Sequence, residues 1–306
     1  MHLHTGQIIK ALSGFYYIKT AGGKTYQTRA RGIFRKNKVT PLVGDYVEFS
    51  FETEQEGRLE KILERKNSLI RPAVSNIDLG VIIMSTKNPD FSTSLLDRFL
   101  VSVEKNDIKP LIYVTKTDII EEKKYNEIKT ICEYYRNIGY SVILPACGET
   151  IKRETIKDNL ESFINGKTVV FMGQSGAGKS TLLNKIDAKL NLKTAETSKS
   201  LGRGKHTTRH VELISVLGGL IADTPGFSAI QFDDLTQQEL ILCFPEIWEN
   251  GKECRFKSCI HLNEPNCAVK KAVEQESISE YRYKNYVTLL DEIQKRKPKY
   301  GKKGEK

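Results

Sequence analysis

Nine consecutive residues, Gly173, Gln174, Ser175, Gly176, Ala177, Gly178, Lys179, Ser180 and Thr181, combine glycines, one lysine and hydroxyls in the spacing Gly-x4-Gly-Lys-Ser. Glycines at this spacing let backbone N–H groups wrap a chain of phosphates, while the N-terminus of the following helix faces the same anions. Lys179 would reach the β- and γ-phosphates and Ser180 would ligate Mg2+. An apolar run, Thr168 to Met172, precedes the loop, and helical spacing follows from Gly178 to Leu190. Strand, loop and helix in that order predict a nucleotide hydrolase.

Two further segments suit the same chemistry. Asp223-Thr224-Pro225-Gly226 closes a short apolar run, Leu220 to Ala222. An aspartate at a strand end downstream of a phosphate loop can hold the Mg2+ shell, and Gly226 can offer its N–H to the γ-phosphate. Taken alone, Asp-x-x-Gly is usually a turn. Thr115-Lys116-Thr117-Asp118 follows the apolar run Pro110 to Val114 and resembles the Asn-Lys-x-Asp motif of Ras-like GTPases. In that motif the Asp carboxylate accepts hydrogen bonds from two guanine nitrogens and the Lys stem covers the base. Thr115 in first place removes the amide, so guanine selectivity rests more on Asp118. A helix N-cap is the plainer reading of Asp118, and an ATPase stays open as a rival. The guanine-type motif precedes the phosphate loop here, the reverse of the Ras-like order. That order is a circular permutation, which a compact domain with neighbouring termini tolerates.

A third constellation lies further on: Cys254-x4-Cys259-x-His261-x5-Cys267. Three thiols and an imidazole suffice for a closed tetrahedral Zn2+ site with no open position for water, hence a structural metal. Buried scattered thiols are the alternative. Cys132, Cys147 and Cys243 read as small buried apolar residues.

The elements that must position these groups fall into three stretches. Residues 1–68 hold five short strand-like runs (Gly6–Leu12, Phe15–Lys19, Thr25–Arg31, Asp45–Phe51, Arg58–Leu63) between turn residues, which suits a small OB-type β-barrel, with an SH3-like barrel as competitor. Residues 69–231 alternate apolar strands at 79–84, 110–114, 141–144 and 168–172 with amphipathic helices near 95–105, 121–138, 150–164 and 178–190. This is the mark of an α/β domain with a parallel sheet. A hairpin, 211–217 with 220–222, follows. Residues 232–306 read as helix (Leu235 to Trp248), cysteine cluster, two further helices (one at Glu280 to Lys295) and a basic tail. A piece this small has little core of its own, so a metal would supply what packing cannot.

Composition narrows the class. Of 306 residues 39% are hydrophobic and 28% charged, and no apolar run is long enough to span a bilayer. The N-terminus lacks a secretory pattern, so a cytoplasmic protein is expected, in which a cysteine cluster favours metal over disulfides. The formal net charge is +10. Residues 1–68 carry 12 Lys/Arg against 7 Asp/Glu, Lys193 to His210 carry five basic residues against one acidic, and Lys295 to Lys306 carry seven against one. These surfaces suit a polyanion such as RNA, although charge runs are often simply solvated faces.

A small N-terminal barrel, a permuted nucleotide-binding core and a C-terminal Cys/His cluster together resemble the ribosome small subunit-dependent GTPase family RsgA (YjeQ) across nearly the whole chain. The resemblance implies GTP hydrolysis stimulated by the small ribosomal subunit, with a role late in its assembly, rRNA contact, and zinc on Cys254, Cys259, His261 and Cys267. It assigns Gly202 to Thr208 to a mobile switch segment and Asp223 to Gly226 to a second. On the family pattern Thr208, rather than Thr207, joins Ser180 and Asp223 on Mg2+. His206 is a candidate for orienting the attacking water, or alternatively an rRNA contact. Phe227 occupies the place of the water-positioning Gln of Ras-like enzymes, so slow intrinsic turnover is expected. A monomer is expected. The rival class is an RNA-binding assembly module in which nucleotide only locks conformation.

Overall fold

The computed structural model describes residues 2–70, 72–190, 211–223, 232 and 234–296. Over these the chain forms two compact units, one from Met1–Phe91 with Asn106–Ala229, the other from Ser92–Lys105 with Ile230–Lys306.

In the first unit, five strands make the N-terminal barrel: β1 (His4–Leu12), β2 (Phe15–Lys19), β3 (Thr25–Ala30), β4 (Tyr46–Thr53) and β5 (Glu56–Ile62). Alternation buries Ile8, Ile18, Tyr26, Val47, Phe49 and Leu59 on the inner face. The strand order β1-β2-β3-β5-β4 closes through β4 pairing back onto β1, and β3 runs parallel to β5. A short helix, α1 (Gly32–Lys36), bridges β3 and β4. This is the OB arrangement, and it decides against the SH3-like alternative. Sequence pattern does not announce α1, whose Arg31-Gly-Ile-Phe-Arg-Lys stretch shows no apolar stripe and buries no residue.

A polar hub ties the barrel to the chain leaving β5. Asp45 is fully buried, and its carboxylate accepts hydrogen bonds from Arg65 Nε (2.7 Å) and Nη2 (2.8 Å), Ser75 Oγ (2.6 Å) and the Leu42 N–H (2.7 Å). Ser75 belongs to a two-residue ladder, β6 (Ser68–Leu69) with β7 (Val74–Ser75). Gly44, at φ +96°, has the Ser75 carbonyl where a Cβ would stand, so this contact needs glycine.

Six further strands continue the sheet: β8 (Leu79–Ser85), β9 (Lys109–Thr115), β10 (Ser141–Ile143), β11 (Thr168–Met172), β12 (Glu212–Val216) and β13 (Gly219–Asp223). Their order is β10-β9-β8-β11-β13-β12, parallel from β10 to β13, with β12 antiparallel. All seven residues of β8 are buried, as expected for a central strand covered on both faces. One apolar cluster includes Val81, Ile83, Val169 and Phe171 of the sheet with Leu160, Leu182 and Leu183 of the helices. The helices α2 (Thr93–Glu104), α3 (Glu122–Asn137), α4 (Arg153–Ile164) and α5 (Lys179–Ile186) follow their strands as the periodicity predicts. The sheet meets the barrel where β1 pairs with β12 at Lys10 and Glu212, whose side chains form an ion pair of 2.8 Å.

Although α2 lies between β8 and β9 in sequence, it packs in the second unit. There it joins α6 (Gln237–Leu242), α7 (Pro245–Gly251), α8 (Ala268–Glu274) and α9 (Glu280–Gln294). The single helix expected over Leu235 to Trp248 is two. A capping box of Thr236 and Glu239 starts α6, and Pro245, which cannot continue a helix, opens α7 in its first turn. Val101 of α2 shares a core with Phe244, Ile247, Val269, Tyr286 and Leu290. At its centre Arg282 is fully buried and donates to Asp97 and to Glu246 (Nε to Oε1, 2.7 Å), while Asn285 donates to the second Asp97 oxygen (2.6 Å).

Candidate nucleotide and metal sites

The C-terminal ends of β9, β8, β11 and β13 lie side by side, and those of β9, β11 and β13 carry or lead into segments singled out by their chemistry. From β8 the chain proceeds to β9 and β10 on one side, whereas from β11 the sheet extends to β13 on the other. This is a point where the strand order reverses, and α/β sheets bind ligands in the crevice at such a point. The phosphate-type loop follows β11 there. Gly173 sits at φ +146° with the Ile83 carbonyl only 2.4 Å from the position of a Cβ, so no side chain fits. Gly178, in left-handed conformation at φ +93°, turns the chain into α5, which begins at Lys179. The loop therefore has the backbone that only glycine adopts without strain. Ser180 and Thr181 stand in the first turn of α5. The Lys179 ammonium donates to the carbonyls of Gly173 and Gln174 (3.0 Å to the latter), and burial pulls its pKa down to about 8.

Thr115 and its neighbours meet this loop directly. The buried Thr115 hydroxyl donates to the Ala177 carbonyl at 2.6 Å. It therefore ties the end of β9 to the phosphate-type loop. Lys116, at φ +62°, starts a single 3-10 turn over Thr117–Ile119 that leaves Asp118 exposed. Asp118 is not the cap of α3, whose N-cap is Glu121, so the capping alternative falls away. Burial lowers the pKa of the Lys116 ammonium, which donates to the carbonyls of Lys87 (3.1 Å) and Asn88.

Two loops without a recognisable motif complete the rim. Thr86 to Asp90 follows β8. In it Thr86 Oγ1 donates to the Lys116 carbonyl (2.7 Å), and Pro89 Cδ and the Asn88 carbonyl lie 3.7 and 3.8 Å from the Cβ position of Gly176. Pro145 to Gly148 follows β10, with the Gly148 N–H donating to the Thr117 carbonyl (3.0 Å). The sequence signal for both is positional, since each loop leaves the C-terminal end of a parallel strand. Asp223 ends β13, next to β11, as the motif requires. His206, Thr207, Thr208, Gly226 and Phe227 lie outside the described residues.

In the second unit Cys254, Cys259, His261 and Cys267 bring one ligand atom each to within 4.8 Å of one another, a group able to hold a metal ion. Cys254 Sγ and Cys267 Sγ are 3.9 Å apart, as are those of Cys259 and Cys267. His261 Nδ1 stands 3.6 Å from Cys254 Sγ and 3.4 Å from Cys267 Sγ. Burial pushes the Cys259 thiol up to about 12, raises that of Cys267, and lowers the pKa of His261. A cation would reverse the penalty on the thiolates, and a neutral imidazole is the ligating form. The loop is braced from outside. Tyr283 and Tyr286 hydroxyls donate to the carbonyls of His261 (2.7 Å) and Ile260 (2.8 Å), and Glu264 accepts from the N–H groups of Ile260 and Leu262. Such outer partners orient ligands, and spacing alone does not reveal them.

Fold and site together define a P-loop nucleotide hydrolase with the base-type motif ahead of the phosphate loop. Comparison with known proteins gives the family. The model for the RsgA GTPase matches residues 62–233, and that for the RsgA N-terminal domain matches residues 5–59. The small ribosomal subunit biogenesis GTPase RsgA of Bacillus subtilis is 53% identical over 299 residues, covering 96% of this chain and 99% of that protein. RsgA 1 of Listeria monocytogenes is 52% identical over 295 residues, again covering 96% and 99%. The crystal structure of YloQ, described as a circularly permuted GTPase, superposes with a TM-score of 0.82 at 48% identity, covering 98% of each chain. YjeQ from Thermotoga maritima gives 0.82 at 31% identity, covering 97% of this chain and 100% of that one. The chain belongs to the RsgA family of circularly permuted GTPases, and is an enzyme acting on GTP.

Proposed function

We propose that GTP hydrolysis by this protein is stimulated by the small ribosomal subunit and serves a late step in that subunit's assembly in the cytoplasm. The function for which its relatives are named, small ribosomal subunit biogenesis, supports this reading. So does the basic N-terminal barrel, which suits contact with rRNA. Residues 1–68 serve as the RNA-facing barrel, 69–231 apart from α2 as the GTPase, and 232–306 together with α2 as a metal-braced arm, acting as a monomer.

At the nucleotide the phosphates lie in the loop from Gly173 to Thr181, with Lys179 on the β- and γ-phosphates. Asp118 reads guanine and Lys116 flanks the base. Thr115 and Thr117 hold that loop in place. Ser180, Thr208 and Asp223 would hold Mg2+, which would neutralise charge on the phosphates. Gly226 would offer its N–H to the γ-phosphate and His206 would orient water. The observation that carries the nucleotide assignment is the Thr115 to Ala177 hydrogen bond, which holds a base-type and a phosphate-type loop at one sheet edge.

For the metal we propose zinc. A tetrahedral ion with Zn–S near 2.3 Å and Zn–N near 2.0 Å spaces sulfurs about 3.8 Å apart, and sulfur from nitrogen about 3.5 Å. The sulfur–sulfur distance of 3.9 Å and the sulfur–nitrogen distances of 3.6 and 3.4 Å support that reading.

The decisive experiment measures GTP turnover by the full chain with and without purified small subunits. Strong stimulation is expected. An unchanged rate, in protein that still binds GTP, overturns the proposal. Equal subunit affinity with GDP and with a non-hydrolysable GTP analogue would favour a passive RNA-binding module instead.

A further inference from the structure

Helix α2 is covalently part of the nucleotide-binding sheet and physically part of the Cys/His unit. Its N-terminal lead, Ser85 to Phe91, is fixed within the first unit at nearly every step. Ser85 Oγ donates to the Pro89 carbonyl (2.6 Å), and the carbonyls of Lys87 and Asn88 accept from Lys116. Asp90 pairs with Lys124 (3.1 Å), and Phe91 packs beside Val114 and Ile128. The next residue, Ser92, already N-caps α2 by accepting from the Leu95 N–H. In sequence, Phe91 of the first unit is followed directly by Ser92, the N-cap of the helix in the other unit.

Within the second unit α2 is clamped in three places. Asp97 and Arg282 are both fully buried, and the guanidinium also bonds Glu246 and lies 4.2 Å from the Phe244 ring centroid. Arg98 forms a two-bonded pair with Glu292 of α9. Lys105, just past the helix, pairs with Asp234. Breaking a buried pair by removing one partner leaves an uncompensated charge, so α2 is not free to slide on α7 and α9.

We infer that α2 is the connection through which occupancy of the phosphate and base loops reaches the Cys/His unit, with the Asp97–Arg282 pair as its clamp. A ligand seated on Gly176 and Lys116 further restricts Ser85 to Phe91, which already touches both, and that restriction passes along the chain through Phe91–Ser92 into a helix held by α9. The inference rests on the nucleotide reading proposed above. It places part of the coupling in residues remote from both ligands, carried by a discrete packed element rather than by proximity.

Hydrogen exchange on the full chain tests it, with GDP and with guanosine β,γ-imidotriphosphate as probes. Slowed exchange at 173–180 and 86–91 reports nucleotide binding. Its absence would count against the nucleotide reading itself. Given that protection, exchange in α9 should also slow, by about fivefold or more, within the usual range of coupling between sites. In Asp97→Asn the protection at 173–180 and GDP affinity should stay within about twofold of the parent, while the α9 response is lost. An α9 response that is nil in the parent, or intact in Asp97→Asn, overturns the inference. If Asp97→Asn unfolds the unit, Arg98→Ala replaces it. A halved α9 response then supports the clamp, and an unaltered one refutes it.

Discussion

Thr115 performs a task that its place in the motif does not announce. The sequence pattern locates it beside the base, but its hydroxyl is spent on the Ala177 carbonyl of the phosphate loop. Thr115→Val keeps the shape and orphans that carbonyl, at a cost of about 1–3 kcal/mol. GDP and GTP affinity should both fall about tenfold or more, and Thr115→Ser, which retains the hydroxyl, should restore most of it. Titration with a fluorescent GDP analogue reads both. Lys179→Ala removes the charged donor aimed at the phosphates and should weaken GTP binding by at least about a hundredfold, on charge-assisted bonds worth about 1.5–3 kcal/mol each. Its melting temperature should hardly change, because burial makes this ammonium costly to keep. At this scale the sequence is readable wherever one residue type has one use: Gly173 and Gly178 for their backbone, Lys179 for its charge, the cysteines for their sulfur. It is unreadable where a threonine can face either of two loops, or where a brace such as Tyr283 is one tyrosine among many.

Elements are legible to the degree that neighbours in sequence decide them. All five barrel strands and the four main parallel strands fall within a residue or two of expectation, because period-two alternation and continuous apolar runs are local signals. The break at Pro245 is equally local, and a single helix across it neglects that proline has no N–H for a helix interior. The joint around Asp45 is hidden, since its partners Arg65 and Ser75 stand 20 and 30 residues away. It carries a sharp prediction. Asp45→Ala leaves the Arg65 guanidinium without its bidentate acceptor and should cost about 3–5 kcal/mol in denaturant unfolding. A loss under about 1 kcal/mol would show that the hub is not a stabilising element. The metal loop is the second element under test. Metal analysis should give one zinc per chain, and Cys259→Ser or a strong chelator should lower the melting temperature of the second unit while GDP binding persists.

For the whole molecule, the order of motifs along the chain is the informative quantity, because it fixes the permutation before any fold is visible. What order cannot convey is which body an inserted helix joins. The partners Asp97 and Arg282 lie 185 residues apart, and no pattern of either stretch alone requires the other. Ending the chain after residue 229 should therefore leave α2 with a bare carboxylate and its apolar face, including Val101, uncovered. Size-exclusion chromatography should find such a truncation aggregated, while the full chain runs as a monomer. A well-behaved truncated monomer would count against α2 being held by the C-terminal unit.

The same helix limits how this protein can have been put together. Most multidomain chains allow a module to be gained, lost or exchanged by a single cut at a linker. Here one body takes its core from two separate lengths of the gene, the first embedded inside the coding stretch of the other. No single recombination point delivers it whole. A lineage that dropped the Cys/His portion would have to rewrite α2 in the same step, and one that borrowed it would need the matching Asp97 already in place. The nucleotide sheet and the Cys/His body are thus tied by descent, and substitutions at positions 97, 246 and 282 should be inherited as a set.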